Sequence, residues 1–173
     1  VVSSVPATQA LALLPDNFAH RELVNSCDMP GCYSLMLGFN EALGLDWDAA
    51  LVRNSAVSWI SVNSSKPGRD GATSVLVQAS NRWAEANMEC NDRSVMARLL
   101  AETSRNIGRD AGSADHIALH RWRYANPGQR QGALSLIDGG HKLAAIGDWC
   151  IRGRVESAFL SGLDAAQRIR SLI

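Results

Sequence analysis

The sequence has no surplus of either charge: seventeen basic and seventeen acidic residues among 173 give a formal net charge of zero. Without a basic stripe to neutralise a row of phosphates, nucleic acid is not an expected partner. Long hydrophobic runs are missing too. The apolar stretches are short, Val75 to Val77 being typical, whereas a bilayer-spanning helix needs roughly 20 such residues. No charged leader with a cleavage site is visible, and the expectation is a soluble, cytoplasmic chain that does not meet a membrane. Cysteine is scarce. Cys27, Cys32, Cys90 and Cys150 form no two CxxC pairs, and the Cys27 to Cys32 spacing has no His at finger-like distance, so no metal site is expected. Four scattered thiols, mostly with apolar neighbours, suit a reducing compartment better than a disulfide framework. There is no initiating Met: the chain opens at Val1 in a strand-like run, as a piece cut from a longer polypeptide would.

What is present suits one domain of ordinary size, long enough to bury about two thirds of its unfolded surface. Val1, Val2 and Val5 form a β-branched run that stops at Pro6, after which Gln9 to Leu14 makes a turn or two of helix before Pro15. Asp16 to Pro30 is a polar connection with a little helix. Tyr33 to Phe39 reads as a strand and Leu51 to Val62 as another with a break, the two being candidates to pair. Trp59, Ile60 and Val62 lead into Asn63 to Gly71, dense in turn formers, and then into the apolar run Ser74 to Ala79: a hairpin with a long polar tip. Asn81 to Cys90 and Asp92 to Ile107 read as helices. The second has Asp92 as N-cap, Val95, Leu99, Leu100, Thr103 and Ile107 on one side, and Gly108 as its stop. His116 to Leu119 and Trp122 to Ala125 are extended, and the loop Asn126 to Gly132 separates them from the final unit. No repeat is visible. Strands, two helices, more strands and a closing helix do not alternate as a doubly wound sheet does. The expected class is α+β, a largely antiparallel sheet with flanking helices, with a strand-to-helix unit at each end.

The closing unit carries the most chemistry. A short apolar strand, Leu143 to Ile146, runs into Gly147-Asp148, and a helix follows from Arg154 and Val155. Val155, Ala158, Phe159, Gly162, Leu163, Ala166, Ile169 and Ile173 recur at helical spacing and form its expected buried face, with Glu156, Ser157, Asp164, Gln167, Arg168 and Ser171 elsewhere. Ala158, Ser161, Gly162, Ala165 and Ala166 keep the helix thin enough to approach a sheet or a flat ligand. A carboxylate at Asp148 can accept hydrogen bonds from sugar or ribityl hydroxyls. The unpaired N–H groups and positive dipole end of the helix favour an electron-rich partner.

"GDWCIRGRVESAFLSGLDAA" (147–166) resembles the C-terminal FAD-binding segment of flavin-containing amine-oxidase-like oxidoreductases, in particular the renalase-like branch. The resemblance continues upstream through "HRWRYA" (120–125), "WISVNSSKPGR" (59–69), "YSLMLGF" (33–39) and "VPATQALALL" (5–14), and so covers nearly the whole chain. Thr8 stands where a second Pro is common and Ser157 where Gly is expected. Members of that family begin with a GxGxxG turn that holds the FAD pyrophosphate, and these residues contain none. The resemblance therefore implies a returning strand-helix of a Rossmann-like FAD domain (1–15), a substrate domain (16–126) and a closing FAD segment (127–173).

It also implies an enzyme that takes a hydride from an amine or dihydronicotinamide-type small molecule onto FAD, with oxygen as acceptor. The chain alone is expected to be inactive, with FAD bound weakly or not at all, and to seek the missing FAD-binding half or a second copy of itself. In such enzymes the cofactor carries the electrons, so no Ser-His-Asp set is required. Gly147, Asp148, Arg154, Val155 and Glu156 are the implied cofactor-side residues. His120, Trp122 and Tyr124 alternate onto one strand face with Arg121 and Arg123 on the other, which makes Trp122 and Tyr124 candidates to line the substrate pocket. Asn63, Ser64 and Gln78, on the two hairpin arms, are candidates to hydrogen-bond substrate. Lys66 to Arg69 read as a solvated tip, the alternative being a mobile rim that meets an anionic substrate, and His20, His116 and His141 receive no role. The alternative reading is a cofactor-free binding module that keeps the substrate-domain fold and presents apolar patches to partners.

Overall fold

A computed structural model describes residues 1–69, 71–128 and 132–171. Asp70 at the expected hairpin tip, residues 129–131 of the expected loop and Ile173 on the closing helix lie outside the described residues. In chain order the elements are β1 (Val2–Ser3), α1 (Ala7–Leu13), α2 (Arg21–Asn25), β2 (Cys32–Phe39), β3 (Ala49–Leu51), β4 (Val57–Val62), β5 (Thr73–Ala79), α3 (Asn81–Ala86), α4 (Asp92–Ile107), β6 (His116–Trp122), β7 (Leu136–Asp138), β8 (Leu143–Ala145) and α5 (Val155–Arg170). Short 3₁₀ turns occupy Asn63–Ser65, Ala111–Ser113 and Asp148–Cys150. The class is mixed α+β, with antiparallel strand pairing and flanking helices. Among the described residues no helix is long and apolar enough to cross a membrane.

The chain divides into two compact units, Val1–Pro30 with Tyr124–Ile173, and Gly31–Arg123. In the first, β1 pairs parallel with β8, which pairs antiparallel with β7. Ala7, Ala10 and Leu14 from the α1 region, Phe18, Val24, Cys27 and Met29 from the α2 region, and Leu136, Ala145, Trp149 and Cys150 form its core. Residues 16–30, expected to open the middle domain, thus cluster with this unit, because Phe18, Val24 and Met29 bury their side chains in its core.

The second unit is a five-stranded antiparallel sheet, order β3-β4-β5-β2-β6, with α3 and α4 against one face. The suggested pairing of Tyr33–Phe39 with Leu51–Val62 is not found. Instead β2 lies between β5 and β6, and 51–62 divides into the adjacent strands β3 and β4. β2 is central, and its odd residues Tyr33, Leu35, Leu37 and Phe39 point into the core beside Val75, Val77, Val57, Ile60, Val95 and Leu99. The two extended pieces expected at 116–125 are one strand that ends at Trp122. In α4 the N-cap is Asn91, whose side chain accepts from the Ser94 N–H at 2.8 Å, and not Asp92, which lies in the first turn. Gly108 ends that helix at φ +68°, a left-handed conformation open to glycine.

Candidate functional site

The closing turn of the first unit is assembled around Trp149, which is fully buried and donates its indole N–H to the Val5 carbonyl at 3.1 Å. Gly147 lies against that indole so closely that a Cβ would run into it. The Gly147 N–H donates to Ser161 Oγ on α5 at 3.1 Å. Asp148 is half-buried next to it. Burial pushes its carboxyl up, against backbone N–H groups of Trp149 and Asp148 itself that draw it down.

α5 follows with Arg154 at its N-cap in extended conformation and no capping side chain. Arg154, Val155 and Glu156 are all exposed, Val155 to 91%. An uncapped sixteen-residue helix presents unpaired backbone donors and the positive end of its dipole there.

The face that α5 buries differs from the one expected. Ser157, Ser161 and Ala165, at i, i+4 and i+8, are buried, whereas Val155, Phe159 and Leu163 are exposed, Phe159 to 68%. The reason is steric. The helix packs on the Asp148–Cys150 turn and on β7, and only small side chains let it approach them. At its far end Arg168 donates to the Ser135 carbonyl at 2.8 Å, and Ser135 Oγ donates to Asp164 at 2.5 Å.

In the second unit the face of the sheet opposite its helices carries two of the candidate substrate residues, Gln78 and Trp122. Register places Leu51, Trp59, Gln78, Ser34 and His120 directly across from one another on β3, β4, β5, β2 and β6. Directly opposed residues share a face. Trp59 reaches this row through a bulge between Val57 and Trp59, which lets Val57 stay in the core while Trp59, two residues on, turns outward. Ser58 Oγ secures the bulge by donating to the carbonyls of Gln78 and Ala79.

Trp122, half exposed, donates its indole N–H to Ser34 Oγ at 3.0 Å and meets His120 edge-on with ring centroids 4.0 Å apart. Arg121 turns to the helix side, where it bonds the Met88 and Cys90 carbonyls and lies over the Tyr33 ring. Asn63 sits in the 3₁₀ turn that ends β4, its Oδ1 buried without a hydrogen-bond partner among the described residues. Tyr124 lies past the end of β6 and clusters with the first unit, so it does not share a strand face with Trp122. Sequence reasoning missed Ser34, whose only signal was its even position in β2, and the bulge that re-aims Trp59.

A sequence model of the family described as flavin containing amine oxidoreductase matches residues 1–170. The chain belongs to that family. Among solved structures, the fold is similar to cyclohexylamine oxidase from Brevibacterium oxydans IH-35A, at TM-score 0.69 and 14% identity over 97% of this chain and 42% of that one. It is also similar to putrescine oxidase bound to putrescine, at TM-score 0.70 and 14% identity, covering 98% of this chain and 42% of that chain. The chain spans about two fifths of the length of these flavin amine oxidoreductase relatives. FAD is the family's cofactor in its complete enzymes.

The donor set of the closing turn fits such a group. An uncapped helix N-terminus offers N–H donors, and a half-buried carboxylate at Asp148 offers an acceptor for hydroxyls.

Proposed function

We propose that this chain is the substrate-side and closing flavin-side portion of an FAD-dependent oxidoreductase of the renalase-like branch, acting in the cytoplasm on an amine or a dihydronicotinamide-type molecule with oxygen as the acceptor. When bound, FAD supplies the hydride acceptor. The observation that carries the reading is a half-buried carboxylate, Asp148, in the turn that leads to the uncapped start of α5, in a chain that matches the flavin amine oxidoreductase family over nearly its whole length.

In this reading Asp148 accepts from hydroxyl groups of the cofactor. The first-turn N–H groups of α5, at Val155 and Glu156, would favour an electron-rich part of the cofactor, with an effect on the order of 1 kcal/mol. Gly147 lets the strand turn there, and Arg154 sets the helix start. On the sheet of the second unit Trp122 forms an apolar wall and Gln78 and Asn63 supply hydrogen bonds to the substrate. Tyr124 belongs to the same substrate-lining set by resemblance. The domain functions proposed are FAD-side for 1–15 and 127–173 and substrate-side for 16–126. The isolated chain is inactive in this reading, because the pyrophosphate has few donors without a Gly-rich turn.

A second reading, an interaction module without cofactor, is favoured by one observation, the exposed apolar stripe Val155, Phe159 and Leu163 on α5. Gel filtration with visible absorption, after mixing the chain with excess FAD, separates the two. The enzyme-portion reading expects a colourless peak from the chain alone and a retained flavin band once the FAD-binding half is supplied. Failure of that addition to restore the band, with self-association throughout, favours the module.

In the complete enzyme, Trp122→Ala is expected to lower kcat/KM by about tenfold or more with FAD retained. Equal loss of FAD and activity would mark Trp122 as a folding residue and overturn its assignment.

A further inference from the structure

Trp122 closes an edge strand, since β6 has β2 on one side only. A half-exposed indole at such a position would ordinarily sample several rotamers. Two contacts hold it. Ser34, on the neighbouring strand and 7% exposed, accepts the indole N–H at 3.0 Å. His120, two residues back on the same strand face, packs edge-on against the ring.

The bond does more than restrain. Indole has a single polar group, a donor, and Ser34 occupies it, so that Trp122 offers a ligand only its ring. One register step along the row, the Gln78 carboxamide has no hydrogen-bond partner among the described residues. Ser34, a buried hydroxyl, thus takes up the polarity of the indole beside the row, while within the row it is flanked by the Gln78 amide, its donors and acceptor unused among the described residues, and by the exposed His120 ring.

We propose that Ser34 is a positioning residue. It fixes the Trp122 indole as a purely apolar wall, so that polar recognition on this face passes to Gln78 and the neighbouring His120. The inference rests on the reading of this face as the substrate side.

The test has two parts. In the isolated chain, the five tryptophan indole N–H signals are recorded by ¹H–¹⁵N NMR, and that of Trp122 is identified by its loss in Trp122→Phe. Ser34→Ala is expected to shift the Trp122 signal and speed its exchange with solvent, with the other four unmoved. Ser34→Thr, which keeps a hydroxyl, is expected to restore it. An unmoved Trp122 signal, or movement of all five, overturns the lock.

In the complete enzyme, Ser34→Ala is expected to raise KM about 3- to 10-fold, the effect of one lost hydrogen bond, with FAD content unchanged and Ser34→Thr restoring KM. If the indole is freed in Ser34→Ala but KM stays as in the wild type, the positioning role toward substrate is overturned; the substrate-side reading of the face fails only if Trp122→Ala leaves kcat/KM unchanged as well. If the indole never moved, only the lock fails.

Discussion

Asp138 shows how much one carboxylate can organise. It is buried at the end of β7 and accepts from the Ala19 N–H at 2.9 Å, the His141 N–H at 3.1 Å and the His141 ring at 2.9 Å. The far nitrogen of that ring meets Asn17 at 3.0 Å. The Ala19 amide, then the His141 amide and ring, hold the carboxyl well below the usual range, at about 2. An unfolded Asp titrates near 3.9, at roughly the model-peptide value. The folded form is therefore favoured by this group above that value, and the contribution is lost as pH falls toward 2. A ¹³C titration of the Asp138 carboxyl should give a midpoint near 2. Asp138→Asn should lower the urea midpoint at pH 7, with the gap from wild type closing between about pH 4 and 2. A gap that stays constant across that range would show that the carboxylate's charge is not what stabilises the turn. His20 and His141, given no role on sequence grounds, are both tied into this region, His20 through the Ile137 carbonyl at 3.0 Å. Their spacing in the chain could not announce this, because they reach Ile137 and Asn17, 117 and 124 residues away.

Helix α5 makes the corresponding case for an element. Its periodicity was legible, and so was its small-residue content, yet hydrophobicity alone pointed to the wrong face. Ser161 is fully buried and holds the Gly147 amide, whereas Phe159 is largely exposed. Ser161→Leu should therefore destabilise the chain by about 1–3 kcal/mol through overpacking. Phe159→Ser should stay within about 0.5 kcal/mol, as surface substitutions do. Chemical denaturation of both variants checks this, and the reverse order would restore the apolar face as the buried one. The N-cap of α4 teaches a similar lesson on a smaller scale: Asn91 and Asp92 are both good caps by residue type, and the backbone at Asn91, extended where Asp92 is already helical, chooses between them.

At the scale of the whole molecule the two units differ in how the chain builds them. The second is continuous, Gly31–Arg123, with its own core and all five strands of its sheet, while the first is made from both ends of the chain. A fragment of residues 31–123 is therefore expected to fold on its own, with dispersed amide resonances and a cooperative urea transition. A spectrum collapsed into the random-coil range would mean that this core is not self-sufficient.

The sequence by itself determined the α+β class, most of the strands and helices, the strand-to-helix units at the two ends and the family resemblance, because these follow from local periodicity, turn formers and short motifs read along the chain. It also offered Trp122, Tyr124, Asn63 and Gln78 as candidates to meet substrate. Only the tertiary structure decided that β2 sits between β5 and β6, that a bulge at Ser58 brings Trp59 into line with Gln78 and Ser34, and that α5 buries serines in place of Phe159. Each of these depends on which residues meet across a sheet or against a neighbouring indole. Register, bulges and close approach are set by contacts between distant segments, and no local pattern encodes them.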